Sequence, residues 1–326
     1  MQNSVTSSLP PLPCDLCGST DAEELSLIDR DGKYLRTVIN RKSGLVYSDP
    51  RPTPEQVREY YEHEYRTDYK ATFQPKPKHV CRAGKVAIER FLRLKSVLKP
   101  GCKVLDMGAG GGEMLFVLRA MGYDASGFEP NDGYARFALE TLGLPVTHGF
   151  YQEATIPAES QDVVTAFHVY EHLESPLDAM RHVREWLRPG GHFLVEVPNV
   201  EGICQWPRSR FHRAHLYNFN PATLEMTGRK AGYDVVSTFV SDDGGNVAVL
   251  FKKSDSVVPV SGEIPGNYER VRDIVKGHTA LSHAFSRFPY LRPFRKIAQR
   301  LDERSAISRE TSPKAILEGL VAKCLK

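Results

Sequence analysis

The sequence predicts an α/β fold, a mostly parallel sheet with helices on both faces and a smaller piece at either end. Three observations predict it. From Lys103 onward short apolar runs alternate with helical patterns, as they do where strands are joined by crossover helices. A glycine-rich turn at 108–112 joins the first of these runs to the first of these helices. The alternation stops after Lys253, and a basic, Phe-rich segment follows. With 326 residues, 41% hydrophobic and 25% charged, the composition is globular, and a chain of this size can bury roughly 75% of its unfolded surface. Disulfide scaffolds, collagen and wholesale disorder are thereby excluded.

Residues 1–13 are rich in Ser and Pro and read as a flexible terminus. A module over 14–78 follows, with a helix start at Thr53-Pro54-Glu55 and a proline-broken linker around 74–78. The main domain is expected over 79–253. Ile88, Phe91, Leu92 and Leu98 recur at helical spacing at its entrance. Strands are expected at 104–105, 125–128, 144–148, 162–167, 192–197, 233–240 and 246–251, seven in all. Between the first three, Met114, Leu115 and Leu118, then Tyr134, Ala138 and Leu142, mark helices. Ser175 can cap the next helix, with Pro176 in its first turn, Leu177, Met180, Val183 and Leu187 as its stripe, and Pro189-Gly190-Gly191 as its stop. Asn220-Pro221 starts a further helix that Gly232 closes. Residues 254–326 form a helical extension in which Phe285, Phe288, Leu291, Phe294, Ile297 and Leu301 lie among Arg287, Arg292, Arg295, Lys296 and Arg300. Two readings stand for it: a helix packed on its own domain or a second subunit, and a helix making peripheral contact with a membrane surface or acidic partner.

The excess of 43 Lys+Arg over 40 Asp+Glu is too small to argue for nucleic acid. The longest apolar runs fall far short of the ~20 residues of a membrane span, so no integral membrane segment is expected. Residues 1–8 lack a signal's basic start and apolar core, and four of the six cysteines stand alone, which places the chain in the cytoplasm. Its oligomeric state is not legible.

The chemistry is carried by Val104-Leu105-Asp106-Met107-Gly108-Ala109-Gly110-Gly111-Gly112. A dinucleotide fingerprint would put a small residue three positions after Gly110, where Glu113 stands, and a P-loop would need Gly-Lys-Ser/Thr. A carboxylate, Asp106, sits two residues before the first glycine, and the second strand ends in Glu129-Pro130, where a carboxylate can accept from two ribose hydroxyls. Here the sequence resembles the class I S-adenosylmethionine-dependent methyltransferases, a Rossmann-like seven-stranded family whose signature is acidic-x-Gly-x-Gly-x-Gly with an acidic residue closing the second strand. Asp106, Gly108, Gly110, Gly112 and Glu129 match. The resemblance implies S-adenosyl-L-methionine as cofactor, with Asp106 near its methionine end, Gly108, Ala109 and Gly110 beneath it, Glu129 and Pro130 at the ribose, and Phe150 and Tyr151 near the adenine. Phe167 and His168 complete that pocket.

The fourth strand ends in His168-Val169-Tyr170-Glu171-His172-Leu173, similar to a His-Val-Leu-Glu-His-Leu run of small-molecule methyltransferases. His168 and His172, with Glu171, are the first candidates for a catalytic base, followed by His215 and Tyr217. The plain alternative is that Glu171 caps a helix and His172 bonds backbone in the core. After the fifth strand, Trp206, Arg208, Arg210, His212, Arg213, His215 and Tyr217 form an insertion that in the resembling family covers the acceptor pocket. Its arginines suit either an anionic acceptor or a solvated surface.

Cys14-Asp15-Leu16-Cys17-Gly18 is a zinc-knuckle half-site, and a structural zinc needs four ligands. The region resembles the zinc-ribbon module that precedes sugar and metabolite methyltransferases, in which a second Cys-x-x-Cys comes before Gly-Leu-Val. Here those positions are Asn40 and Ser43, so zinc is not expected unless Cys14 and Cys17 recruit another ligand such as His63. Tyr65 and Tyr69 are candidates to roof the acceptor pocket. Together these features imply methyl transfer to oxygen, or carbon, of a small acceptor, sugar-like or anionic: a sugar, glycan or secondary metabolite. Relatives that methylate carbon of nucleotide sugars carry an additional domain, which favours oxygen. The alternatives are that C-methylation and an inactive methyltransferase-fold module that binds a partner. The motif of amino-group methylation of bases is absent after the fourth strand.

Overall fold

The computed structural model describes residues 12–51, 75–307 and 312–325. The first described stretch is an antiparallel ribbon. β1 (Ala22–Ile28) pairs with β2 (Tyr34–Asn40), and β2 with β3 (Val46–Ser48). Its fourth strand, β9 (Tyr217–Asn218), arrives from far downstream and pairs antiparallel with β3. The helix start at Thr53, and His63, Tyr65 and Tyr69, lie outside the described residues.

The main sheet opens with α1 (Pro77–Leu94), β4 (Lys103–Met107), α2 (Glu113–Ala120), β5 (Asp124–Glu129), α3 (Asp132–Arg136) and β6 (Val146–His148). It continues with β7 (Gln161–Phe167), α4 (Pro176–Trp186), β8 (Leu187–Pro198), α5 (Pro221–Lys230), β10 (Tyr233–Val240) and β11 (Asn246–Lys253). The strand order is β10-β11-β8-β7-β4-β5-β6, parallel from β8 to β6, with β11 running antiparallel between β8 and β10. All seven expected strands are present. The order reverses between β4 and β7, where open α/β sheets bind ligands at the carboxyl ends of their strands.

Central strands buried on both faces should be apolar throughout, and β4 and β7 nearly are. Their buried polar exceptions, Asp106 and Thr165, are neighbours in the ladder, and the Thr165 hydroxyl donates to Asp106 Oδ1 at 2.6 Å. Each residue satisfies the other's buried group.

Two expected helices differ in detail. The buried face of α1 is Val80, Cys81, Gly84, Ala87, Phe91 and Leu94, while Leu92 is exposed and Leu98 packs beyond the helix end. The stripe was set by sheet and tail contacts that fall one turn earlier. Helix α4 ends at Trp186, because Leu187 already pairs with Gln161 of β7; Pro189-Gly190-Gly191 forms an irregularity inside β8 instead of a helix stop.

One face of the sheet is covered by α1 and α2 together with α9 (Pro313–Cys324), whose Ile316, Leu317, Leu320 and Val321 are buried. On the other face α4 and α5 share a single core with Cys14, Leu16, Val38, Leu45 and Tyr47 of the ribbon. The outer side of the ribbon receives α6 (Asn267–Gly277) through Tyr268 and Val271, packed on Ile39 and Val46. The short α7 (Ala280–Ala284) leads into α8 (Phe288–Ala306). Every residue from Tyr290 to Asp302 of α8 is exposed, so this helix is not packed on its own domain along that length.

In the knuckle, Asn40 and Ser43 stand beside the two cysteines. Cys17 Sγ donates to Asn40 Oδ1 at 3.2 Å, and Cys14 Sγ lies 3.3 Å from Ser43 Oγ. Asn40 also accepts from the Ser43 hydroxyl and donates to the Ser19 and Asp21 carbonyls. A hydrogen-bond network therefore occupies the four corners of the knuckle.

Candidate active site

The site grows from the carboxyl ends of β4, β5 and β7. After Met107 the chain turns through Gly108, Gly110 and Gly112, all at positive φ, and enters α2. Gly108 and Ala109 N–H groups donate to the Phe128 carbonyl, which ties the loop to the end of β5. At Gly112 a Cβ would stand 2.6 Å from Leu144 Cδ1, whereas at Gly110 no atom lies within 4 Å of that position. Gly112 is thus a packing glycine, and Gly110 is the one a ligand can approach.

Glu129 closes β5 beneath this loop. Its Oε2 accepts from Gly110 N–H and its Oε1 from Asn131 N–H, both at 2.8 Å. Each oxygen keeps a second acceptor position, so the backbone fixes the carboxylate without exhausting it. Burial pushes Glu129 up to about 7 and Asp106 up to about 6, and Thr165 only partly offsets the latter. Glu113, at the first position of α2, is likewise pushed up to about 7 by burial. Three carboxylates around one loop, each held above the usual range, make a site whose chemistry calls for a cation. A sulfonium and an ammonium group fit that requirement; a diphosphate does not. Sequence reasoning used Glu113 only to exclude a dinucleotide, although an acid at the first turn of a helix beside two others was itself a signal.

The Pro130 carbonyl accepts from His148 Nε2 at 3.0 Å, and Gly149 N–H donates to the Glu129 carbonyl, so the chain leading to Phe150 and Tyr151 is tied to the end of β5. Tyr151 packs edge-on to His182 at 5.9 Å, so its ring leans on α4.

Across the switch point, β7 ends at Phe167 and the backbone of His168 takes φ +57, a left-handed conformation rare outside glycine. Its amide is pinned by the Glu196 carbonyl at 2.8 Å. Backbone conformations of this kind cost energy and cluster at ligand clamps and active sites. His168 Nδ1 donates to Glu171 Oε1 at 3.3 Å while the ring stays 40% exposed. Glu171 is buried. Burial alone would raise it, but the His168 hydrogen bond and the surrounding His172, His168 and His215 outweigh that and bring it to about 2. Its Oε2 is buried with no partner among the described residues.

His172 Nδ1 donates to the Ala214 carbonyl at 2.8 Å, which directs its Nε2 toward Glu171, 3.8 Å away. The rings of His172 and His215 meet edge to face at 4.9 Å. Burial, with His172 alongside, pushes His215 down to about 3, so it stays neutral. Glu171, His172 and His215 place three ligand atoms within 4.8 Å of one another, a donor set able to hold a metal ion. Of the two plain alternatives, His172 does bond backbone, whereas Glu171 lies inside a 3-10 turn that its side chain does not cap, and both face the same cluster.

Tyr217 is placed elsewhere. Its ring is buried between Tyr47 and Phe219, and its hydroxyl accepts from Arg51 and donates to the Glu174 carbonyl. It serves the ribbon and is withdrawn as a base. The insertion arginines also diverge. Arg210 donates to the Val200 carbonyl and to His278 Nδ1, and Arg208 and Arg213 are exposed.

A network missed at the sequence level lies next to His168. Glu196, buried on β8, accepts from Arg90 and Arg93 of α1, and the Arg90 guanidinium stacks 4.1 Å over Phe167. Arg90, Arg93 and Glu196, with Phe239, Ser241 and Asn246, line a cavity of about 110 Å³. The signal was available, since Glu196 is the one charge in the apolar run 193–197.

A family model described as a methyltransferase domain matches residues 59–238, more than half of the chain. The ubiquinone biosynthesis O-methyltransferase of Roseobacter denitrificans is 34% identical over 153 residues, covering 42% of this chain and 61% of that protein. A tRNA U34 carboxymethyltransferase of Hydrogenovibrio crunogenus is 28% identical over 140 residues, covering 39% and 42%. The chain thus spans between roughly two fifths and three fifths of the length of these curated relatives. Among solved structures, a SAM-dependent methyltransferase from Aquifex aeolicus superposes with a TM-score of 0.44 at 17% identity, covering 55% of this chain and all of that one. The loop, the carboxylates, the strand order and the matching family model converge: the chain belongs to the class I S-adenosylmethionine-dependent methyltransferases.

Proposed function

We propose that this protein transfers a methyl group from S-adenosylmethionine to a hydroxyl oxygen of a small acceptor, with His168 as the base that takes the acceptor proton. The observation that carries the reading is the His168–Glu171 pair, 3.3 Å apart at the end of β7 and across the switch point from the carboxylate-ringed glycine loop. When bound, the cofactor supplies an electrophilic methyl group on a cationic sulfonium. Asp106, Glu113 and Glu129 would hold its charged and hydroxyl-bearing parts, and Gly110 lets it lie against backbone.

His168 donates through Nδ1 to Glu171, which leaves Nε2 as the basic nitrogen on a half-exposed ring. Glu171, ionised at neutral pH, orients that ring and stabilises the imidazolium formed when the proton arrives, as the third member of a triad does. His215, neutral and half-buried, walls the cluster. Oxygen as the receiving atom is supported by the O-methyltransferases among the relatives. A sugar or glycan acceptor rests on the resemblance of the ribbon module alone.

The test is calorimetric titration of the full chain with S-adenosylhomocysteine, beside NAD and the Glu129→Ala and His168→Ala variants. Micromolar binding is expected, abolished in Glu129→Ala and retained in His168→Ala, with none for NAD. Unchanged affinity in Glu129→Ala would remove the carboxylate site. Lost affinity in His168→Ala would move that residue from acceptor to cofactor.

A further inference from the structure

Helix α8 carries an apolar stripe that nothing among the described residues covers. Tyr290, Phe294, Ile297 and Leu301 follow one another at i, i+4, i+7 and i+11, which is one face of a helix, and their exposures are 65, 70, 56 and 62%. Phe285, just ahead of the helix, is 85% exposed and extends the stripe. Isolated exposed apolar residues need no explanation, but a contiguous row of aromatic and aliphatic side chains on a fixed helix does.

The helix is fixed at both ends. Near its carboxyl end Glu303 and Asp302 pair with Arg82 and Lys85 of α1, and beyond it α9 is buried against the sheet. At the other end α7 is anchored by His283, buried against His278 at 3.1 Å. Both acids of α8 are therefore paired with cations of α1. Between 285 and 301 the chain has Arg287, Arg292, Arg295, Lys296 and Arg300 and no Asp or Glu, all five cations exposed. That local excess is larger than the +3 of the whole chain. Arg295 reaches Asp243 only at 3.9 Å.

This charge pattern selects the occupant. A second copy docking through the same face would bring five cations against five. A surface that is negative outside and apolar within meets both halves of the helix at once. No helix among the described residues is long and apolar enough to cross a membrane, so the contact is one of lying on the surface. We propose that α8 docks in the plane of an anionic lipid bilayer, with Tyr290, Phe294, Ile297 and Leu301 entering the acyl boundary and the flanking Arg and Lys residues on the headgroups. Asp243, the neighbour of Arg295, lies in the turn that also supplies Ser241 and Asn246 to the cavity beside His168. Docking through α8 holds that end of the sheet near the bilayer.

The experiment is co-sedimentation of the full chain with vesicles of phosphatidylcholine alone and of phosphatidylcholine mixed with phosphatidylserine, at low and high salt. Two variants accompany it: Phe294→Ser with Ile297→Ser, and Arg292→Gln with Lys296→Gln and Arg300→Gln. Binding is expected only to the phosphatidylserine vesicles, weakened by salt, lost in the first variant and reduced on the order of a hundredfold in the second, at roughly fivefold per cation. All substituted side chains are exposed, so unchanged unfolding midpoints are expected and separate lost docking from lost folding. No binding to the acidic vesicles overturns the proposal, as does equal binding to both vesicle types or equal binding by the variants. A dimer in solution that Phe294→Ser with Ile297→Ser dissolves overturns it in favour of a second copy.

Discussion

Gly110 and Gly112 stand two residues apart in one turn and answer to different constraints. Gly112→Ala, at φ +83, drives a Cβ into Leu144 and Ala138 and is expected to destabilise the protein by about 1–3 kcal/mol in urea unfolding. Gly110→Ala meets no atom and costs only its backbone strain at φ +54, about 1 kcal/mol, but it should weaken S-adenosylhomocysteine binding more than Gly112→Ala does. Equal losses of stability in the two would contradict this division. At this scale the sequence was legible wherever a motif spans a few residues. Asp106, the glycines, Glu129, His168 and Glu171 could be named because a strand end and a turn bring them together locally. Arg90, Arg93 and Glu196 meet across about a hundred residues of chain, and no spacing announces them. Tyr217 misled for the same reason: its position after β8 suggests the acceptor pocket, but Arg51 and Tyr47 of the ribbon claim it.

Among the elements, strands and helices of the main sheet were readable from their alternation, and helix caps from their residues. Asn220 and Thr223 form a reciprocal capping box at α5, and the Ser175 side chain caps α4. The knuckle offers a sharper test. Asn40 and Ser43 stand within hydrogen-bond reach of Cys17 and Cys14, at the positions where a four-ligand site would have its second pair of sulfurs. The double change Asn40→Cys with Ser43→Cys is expected to let the chain take up about one zinc, measured by elemental analysis, and to raise its thermal midpoint. Failure to take up zinc would mean that the hydrogen-bond network has reshaped the knuckle beyond metal geometry. What periodicity could not disclose is the destination of the tail, since α6 covers the ribbon and α9 covers α1 through contacts distant in sequence.

For the molecule as a whole, the carboxylate ring sets a pH dependence. Asp106 and Glu129 are raised by burial to about 6 and 7 from ordinary values near 4. The folded state then binds more protons than the unfolded one between roughly pH 4 and 7, so this contribution to stability is present at the acid end and lost as pH rises through that window. Glu113, raised to about 7, acts in the same sense. Glu171, lowered to about 2, acts in the opposite sense only below about pH 4. Cationic S-adenosylmethionine should therefore raise the thermal midpoint more at about pH 8 than at about pH 5.5, in fluorimetric scans. An equal rise at both would separate cofactor binding from these carboxylates. The pairing of β3 with β9 has a consequence of another kind. Val46 finds Asn218 roughly 170 residues later, so during synthesis the ribbon leaves the ribosome with one edge unpaired and must wait most of the sheet's length for the strand that closes it. Through that interval Val46 and Tyr47, buried in the finished protein, form an open strand edge, the kind of edge on which strands of other chains can pair.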